Sequence, residues 1–394
     1  MEHLDSTESI VFYIFVIFAG SSVLATMALY ARQALIIAYI VMGVLVGPHT
    51  IGIIQDTSLI SAIAEVGIIF LLFLLGLSLQ PQDLVHMLRK TTVVTLISSV
   101  LFAVVGAGCM YGFGFSIQDS VIIGISLMFS STIIGLKLLP TTVLHHKHAG
   151  EIIVSILLLQ DLIAITALLI LQGLGKEGGD IWWNILLMSL NLPLLTVFAL
   201  GFASYILFPL IRKFDKIQEY IFLMTIGWCL GMAEIGKVMG LSHELGAFLG
   251  GVAMASSPIT RFIAESLKPL RDFFLIMFFF TLGAKLDLAV LYTVIMPALV
   301  LASLMLLLKP FIFRVLLINL GEQPVLSLEM GVRLGQISEF ALLIAMVAFN
   351  GALISEAASY VIQAATIISF MASSYYIVMY YPTPIAVSDR LRRD

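Results

Sequence analysis

Asp161 and its neighbour Gln160 set the chemical question, because both are embedded in apolar sequence, with Ile156-Leu157-Leu158-Leu159 before them and Leu162-Ile163-Ala164-Ile165 after. Loss of hydration favours the protonated form of a carboxylate, whereas a nearby cation favours the ionised form. A carboxylate held between those effects can trade a proton for a metal ion: one site with two mutually exclusive occupants. Successive helical residues point about 100° apart, so Gln160 and Asp161 can border one polar cavity without both pointing into it. Other polar groups stand in equally apolar surroundings. Ser130-Ser131-Thr132 interrupt one hydrophobic run, and Arg333, Gln336, Ser338 and Glu339 crowd another. Lys309 lies in Leu306-Leu307-Leu308-Lys309-Pro310, where the proline frees a backbone carbonyl. Two readings of Lys309 stand: neutralisation by Asp161 or Glu339, or extension of its long stem to the cytoplasmic interface. Arg333 is expected to pair with Glu339 and hold the interrupted segments, and both a purely structural and an ion-contacting role stand for that pair.

The elements that carry these residues must be membrane helices. Hydrophobic residues make up 60% of the 394 and charged residues 11%, with a mean hydropathy of +1.10, where a soluble domain carries about 25% charge. Runs long enough to cross roughly 30 Å of hydrocarbon recur from end to end. Splitting them at charged, Gly or Pro-containing connections gives about thirteen spans. They are 10 to 30, 33 to 50, 60 to 79, 91 to 114, 118 to 140, 149 to 173, 182 to 210, 218 to 239, 241 to 257, 268 to 284, 289 to 317, 325 to 349 and 354 to 380. The first follows Glu2, Asp5 and Glu8 rather than a basic region and is too long for a signal sequence, so it reads as a retained helix. With the amino terminus outside, loops on the inner face hold fifteen cations, Arg32, Arg89, Lys90, Lys137, Lys147, Arg212, Lys213, Lys216, Arg261, Lys268, Arg271, Arg314, Arg390, Arg392 and Arg393. The outer side holds Lys176, Lys237 and Lys285. That asymmetry sets the amino terminus outside and the carboxyl terminus in the cytoplasm.

The chain also repeats itself. Ile69-Phe70-Leu71-Leu72-Phe73-Leu74-Leu75-Gly76 resembles Ile276-Met277-Phe278-Phe279-Phe280-Thr281-Leu282-Gly283, and a nearly equal offset superposes Gly43-Val44 on Gly251-Val252. The paired spans are an odd number of helices apart, so the halves run through the membrane in opposite directions. Repeat one covers about 10–173, a linker helix about 182–210 and repeat two about 218–380, within a transmembrane domain of 1–381 followed by a short cytoplasmic tail, 382–394. The offset between Gly76 and Gly283, 207 residues, carries Ser130-Ser131-Thr132 onto Ile337-Ser338-Glu339. Polar interruptions at matched depths of two repeats mark crossed discontinuous helices around a central ion site.

Other chemistry is poorly provided for. No Walker A string, helical His-Glu-x-x-His pair or Gly-x-Ser-x-Gly elbow supports an enzyme, and no Thr-Val-Gly-Tyr-Gly filter supports a potassium channel. Cys109 and Cys229 lack companions at metal-ligand spacing, and no basic cluster suggests nucleic acid. A proton-coupled symporter of a small organic solute remains the alternative, since the repeat alone allows it. Glu65 and Glu234 lie near interfaces and read as solvated or capping, and His145-His146-Lys147-His148 as a solvated loop end.

These residues together resemble a family. Gly47-Pro48, Phe73-Leu74-Leu75-Gly76-Leu77, Ser130-Ser131-Thr132, Leu159-Gln160-Asp161, Leu245-Gly246-Ala247-Phe248-Leu249-Gly250-Gly251, Lys309 and Gly335-Gln336-Ile337-Ser338-Glu339-Phe340 are similar to the membrane domain of the second monovalent cation:proton antiporter family, and within it the Kef-type potassium efflux systems. The likeness spans nearly the whole chain. It implies an all-α polytopic fold of thirteen helices in the bacterial cytoplasmic membrane, assembled as a homodimer in lipid. A core of helices four to six and eleven to thirteen would slide against a dimerisation domain, in an elevator-like exchange of potassium, favoured over sodium, for protons. It implies Asp161 as the alternating cation and proton ligand with Gln160 beside it. Ser130, Ser131 and Thr132 would line the crossing, Lys309 would face the site, and no cofactor is implied. One acid where sodium-selective electrogenic relatives carry two points to electroneutral exchange, with the retained Lys309 leaving stoichiometry open. Kef systems continue into a cytosolic nucleotide-binding regulatory domain, whereas this sequence stops after Ser388-Asp389-Arg390-Leu391-Arg392-Arg393-Asp394.

Overall fold

A computed structural model describes residues 2–31, 33, 35–55, 57–78, 81–138, 148–174, 181–214, 216–255, 257 and 259–383. The carboxyl-terminal tail from 384, the loop holding His145, His146 and Lys147, and Lys176 and Arg32 lie outside them. Every regular element among the described residues is helical. In chain order these are α1 (Glu2–Tyr30), α2 (Leu35–Val46), α3 (Ser58–Ser78), α4 (Pro81–Gly112), α5 (Ile117–Ser126), α6 (Thr132–Lys137), α7 (His148–Leu174) and α8 (Ile181–Phe202). After a π-helical turn (Ala203–Leu207) come α9 (Phe208–Lys213), α10 (Gln218–Val238), α11 (His243–Met254), α12 (Thr260–Ser266) and α13 (Lys268–Ala284). The last four are α14 (Leu288–Asn319), α15 (Pro324–Arg333), α16 (Glu339–Asn350) and α17 (Glu356–Tyr380). Eight helices among the described residues are long and apolar enough to cross a membrane, including Ile10–Tyr30, His148–Leu168 and Glu356–Tyr380. The apolar sequence between α5 and α6, and between α15 and α16, does not continue as helix.

The chain divides into two compact units. The first comprises residues 1–22, 39–84 and 176–285. Its centre is α3, which packs on α11 and on α13, while α10 packs on α11. Two backbone crossings in this unit are too close for a side chain. A Cβ at Gly43 of α2 would land on the Phe280 carbonyl of α13, and one at Gly251 of α11 would land on the Phe73 carbonyl of α3. The repeat offset turns α2 into α11 and α3 into α13, so the two crossings are one contact made twice. Glycine is there because only a missing Cβ lets these backbones approach.

The second unit comprises residues 23–38, 85–175 and 286–394. It holds the matched interruptions of both repeats. The long helix α14, with Pro297 and Pro310 inside it, packs on α15 and α17, and α16 packs on α17, α7 and α5. Serine caps set several starts: Ser116 for α5, Ser338 for α16 and Ser355 for α17 each accept a bond from a backbone amide of the first turn. Buried Asp119 in turn accepts bonds from the amide and hydroxyl of Ser355, at 2.8 and 3.0 Å, tying the starts of α5 and α17.

Candidate functional site

Both interruptions leave backbone groups that hydrocarbon cannot satisfy, and the structure accounts for them with named side chains. In the first break, the Ser130 amide donates to Gln160 Oε1 at 2.9 Å and Gln160 Nε2 donates to the Met128 carbonyl at 3.2 Å. In the second, the Ile337 amide donates to Ser369 Oγ of α17 at 3.1 Å. Residues 130 and 337 are related by the repeat offset, so equivalent amides are received by the helix that follows each break. Ser131 and Ser338, related by the same 207 residues, cap the second halves: the Ile134 amide donates to Ser131 Oγ and the Phe340 amide to Ser338 Oγ, both at 3.1 Å.

The two breaks are stitched to each other. Ser130 Oγ donates to the Leu334 carbonyl at 2.7 Å, and Gln336 Nε2 donates to the Ser131 carbonyl at 3.3 Å. Ser373 Oγ of α17 steadies Gln336 by donating to its Oε1 at 3.1 Å. Lys309 closes the arrangement from α14. Its side chain is wholly buried, and Nζ donates to the Phe129 carbonyl at 2.6 Å and the Gln336 carbonyl at 3.1 Å, with the Phe102 ring centroid 5.2 Å away. One ammonium thus bridges a freed carbonyl of each broken helix. Among the described residues no ion pair joins it to Asp161 or Glu339, and it does not extend to an interface. Both sequence readings of Lys309 are corrected: carbonyl dipoles at two helix ends, rather than an acid, hold the charge.

Asp161 faces this framework from α7 with 0% exposure. Its hydrogen bonds among the described residues come from one group, the Thr132 hydroxyl at the first position of α6, at 3.2 Å to Oδ1 and 3.1 Å to Oδ2. Glu339, at the first position of α16, is half-buried, and its charge acts on Asp161. Among the described residues the carboxylate of Asp161 therefore has one hydroxyl donor, an acidic neighbour, and no cationic side chain bound to it.

Arg333 is a second correction. Its guanidinium pairs with Glu329, one turn earlier on α15, with Nη2 to Oε1 at 2.8 Å and Nε to Oε1 at 3.0 Å, rather than with Glu339. It also donates to the Leu138 carbonyl beyond α6 at 3.0 Å and the Pro382 carbonyl beyond α17 at 2.9 Å. Burial first, then Tyr376 and Glu329, push the Tyr381 phenol above its ordinary range against the opposing pull of Arg333. The ring 5.7 Å from the guanidinium is thus neutral.

The structure brings together Asp161, Thr132, Gln160, Ser130, Ser131, Lys309, Gln336, Ser338 and Glu339. Arg333, the last residue of α15, points away from them, its guanidinium reaching the Leu138 and Pro382 carbonyls beyond α6 and α17. Sequence reasoning missed Ser369 and Ser373 of α17, whose one-turn spacing in an apolar helix was the available signal. It also missed Glu329, four residues before Arg333. Elsewhere, His148 Nε2 lies 2.8 Å from Glu322, and His243 Nε2 lies 3.2 Å from Glu234, a pair at the end of α10. Glu65 is exposed.

Comparison with known proteins gives this arrangement relatives. A family model described as "Sodium/hydrogen exchanger, transmembrane" matches residues 14–378. Iron transporter MagA of Paramagnetospirillum magneticum is 27% identical over 356 residues, which cover 88% of this chain and 80% of that protein. Two solved structures of the sodium proton antiporter MjNhaP1 from Methanocaldococcus jannaschii share the fold. The one at pH 8 has a TM-score of 0.72 and 15% identity, covering 93% of this chain and 96% of that one. The other, from electron microscopy, has a TM-score of 0.64 and 12% identity, covering 93% and 94%.

Proposed function

The chain belongs to the sodium/hydrogen exchanger family, and from that premise we propose that it exchanges a monovalent cation, potassium in preference to sodium, for protons, with Asp161 as the shared site. Exchangers are transporters rather than enzymes, and the eight long apolar helices fit a multi-pass membrane protein. One observation carries the assignment. Asp161 is a fully enclosed carboxylate between two broken helices, and among the described residues its hydrogen bonds come from a single hydroxyl. An ionised side chain at mid-bilayer costs at least about 2.5–3.5 kcal/mol, so a carboxylate that no fixed cation neutralises calls for a mobile one, and a proton and a metal ion serve equally.

The finer reading follows the Kef-type potassium systems. Gln160 is used on backbone groups, which leaves Asp161 as the one acid of that helix pair at the site. The unit that includes residues 85–175 and 286–394 is the core that moves in an elevator-like step, and repeats of about 10–173 and 218–380 flank the linker helix. The protein works as a homodimer in the bacterial inner membrane, amino terminus periplasmic and carboxyl terminus cytoplasmic. The symmetric glycine crossings and the matched caps Ser131 and Ser338 support the repeats.

The relative named as an iron transporter favours a second reading, transport of iron. One assay separates these. Purified protein in liposomes with a trapped pH dye receives potassium, sodium, ferrous ion or a small organic solute in turn, with and without Asp161→Asn. Dissipation of a proton gradient by potassium, lost in Asp161→Asn, is the expected result. Retention of that signal in the Asn variant refutes Asp161. A response only to ferrous ion, or only to an organic solute, refutes monovalent cation exchange.

A further inference from the structure

We propose that Glu339 is a second carboxylate of the cation site, the ligand that an arriving ion meets before Asp161. This rests on the reading of Asp161 as the exchange site and adds a residue to it.

The first argument is symmetry. The 207-residue offset that relates the caps Ser131 and Ser338 also relates Thr132 and Glu339, the first residues of α6 and α16. Thr132 is the residue that touches Asp161, and Glu339 holds the corresponding place on the opposite half-helix. The second is proximity. The breaks are joined by direct bonds from Ser130 to Leu334 and from Gln336 to Ser131, and α16 packs on α7, the helix of Asp161.

Access supplies the third argument. Asp161 is fully enclosed, whereas Glu339 is half-buried as a residue, with one carboxylate oxygen, Oε2, enclosed. A hydrated cation loses water stepwise, and each lost water needs a replacement oxygen. A half-buried carboxylate offers the first such oxygen, and the Thr132 hydroxyl and Asp161 offer the next. At the first position of α16, Glu339 also sits against a positive helix end. A residue serving only that end would contribute to stability and leave cation affinity unchanged, so affinity is the quantity to measure.

The experiment compares wild type, Glu339→Gln, Glu339→Asp and Asp161→Asn in two formats: exchange in liposomes titrated with potassium and sodium, and cation-dependent thermal stabilisation in detergent. Removing one charge near the ion at a protein's effective dielectric should raise the cation KM in Glu339→Gln about tenfold. The stabilisation midpoint should move by the same factor, and Glu339→Asp should recover most of it. Wild-type KM and midpoint in Glu339→Gln overturn the proposal, and leave the exchange reading intact if Asp161→Asn is silent. Absence of exchange in wild type instead overturns the exchange reading, and the stabilisation midpoints then decide whether Glu339 binds cation. Should Glu339→Gln not yield monodisperse protein, Glu339→Ala takes its place under the same criteria.

Discussion

Thr132→Val isolates the one donor that Asp161 has among the described residues. The swap keeps side-chain shape and removes the hydroxyl. Its two contacts, at 3.1 and 3.2 Å, are long for O–H···O bonds and share a single proton. They therefore count as one bond to a charged group at the weak end of the usual range, about 1.5 kcal/mol. The bond helps the ionised carboxylate, the form that binds a metal ion, and the hydroxyl oxygen is itself an ion ligand. At fixed pH the cation KM should rise about tenfold, the equivalent of roughly 1.4 kcal/mol, and Thr132→Ser should restore it. The assay is the liposome exchange titration, repeated as cation-dependent thermal stabilisation so that a slow conformational step cannot mimic weak binding. In an Asp161→Asn background Thr132→Val should have no further effect on stabilisation, because the two act through one contact. A wild-type KM in Thr132→Val would refute the assignment of the Thr132–Asp161 pair to the cation site.

Three other perturbations test separate parts of the structure. Gly43→Ala puts a methyl group onto the Phe280 carbonyl of α13; the backbones must part, and a loss of about 1–3 kcal/mol should lower the denaturation midpoint, whereas Gly108→Ala, with open space around it, should not. Arg333→Lys keeps the charge and surrenders the fork that reaches Glu329, Leu138 and Pro382 together; a cost of about 2–3 kcal/mol is expected, and an unchanged midpoint in detergent would show that the clamp is idle. If proton and cation exclude each other at one carboxylate, the cation KM should rise toward about tenfold for each unit by which pH is lowered on the acid side, at constant maximal rate; a flat KM with a falling maximal rate would mean separate sites.

The registers of the repeats were legible because they rest on residue types that membranes restrict. Gly76 and Gly283 are needed where backbones cross, and Ser131 and Ser338 where a helix restarts, so the same 207-residue offset appears in sequence and in hydrogen bonds. Asp161, Lys309 and Glu339 were legible as charges in apolar sequence. Their partners were not. Ser130 reaches Leu334, Ser373 reaches Gln336 and Lys309 reaches Phe129 across long stretches of chain, and no local pattern encodes such pairings. Serines in membrane helices commonly bond their own preceding turn, as Ser374 does to the Phe370 carbonyl, so only their one-turn spacing marked Ser369 and Ser373 as different. Arg333 was misassigned for a local reason. Glu329 lies one turn away on the same helix, the spacing at which side chains meet, whereas Glu339 lies beyond an unwound stretch that changes the direction of the chain.

Burying Lys309 is an electrostatic demand on the core, and the way it is met explains the polarity of the site. Inserting a lysine at mid-membrane costs about 2.5–3.5 kcal/mol. Two charge-assisted bonds, each worth about 1.5–3 kcal/mol, offset that, and the Phe102 ring adds to them. No acid is required. The breaks create two kinds of helix end: the ends of α5 and α15 present carbonyls, and the starts of α6 and α16 present amides. Lys309, Gln160 and Ser130 take up the carbonyls of Phe129, Gln336, Met128 and Leu334. The negative ends are thereby answered from within the protein, and the first residues of the two positive ends are Thr132 and Glu339, one bound to Asp161 and the other acting on it. Had Lys309 bound Asp161 directly, an incoming cation would have had to displace an ammonium. Held by carbonyls instead, Lys309 fixes the two half-helices in register, and on the proposed exchange reading the carboxylate is left to a proton or a cation.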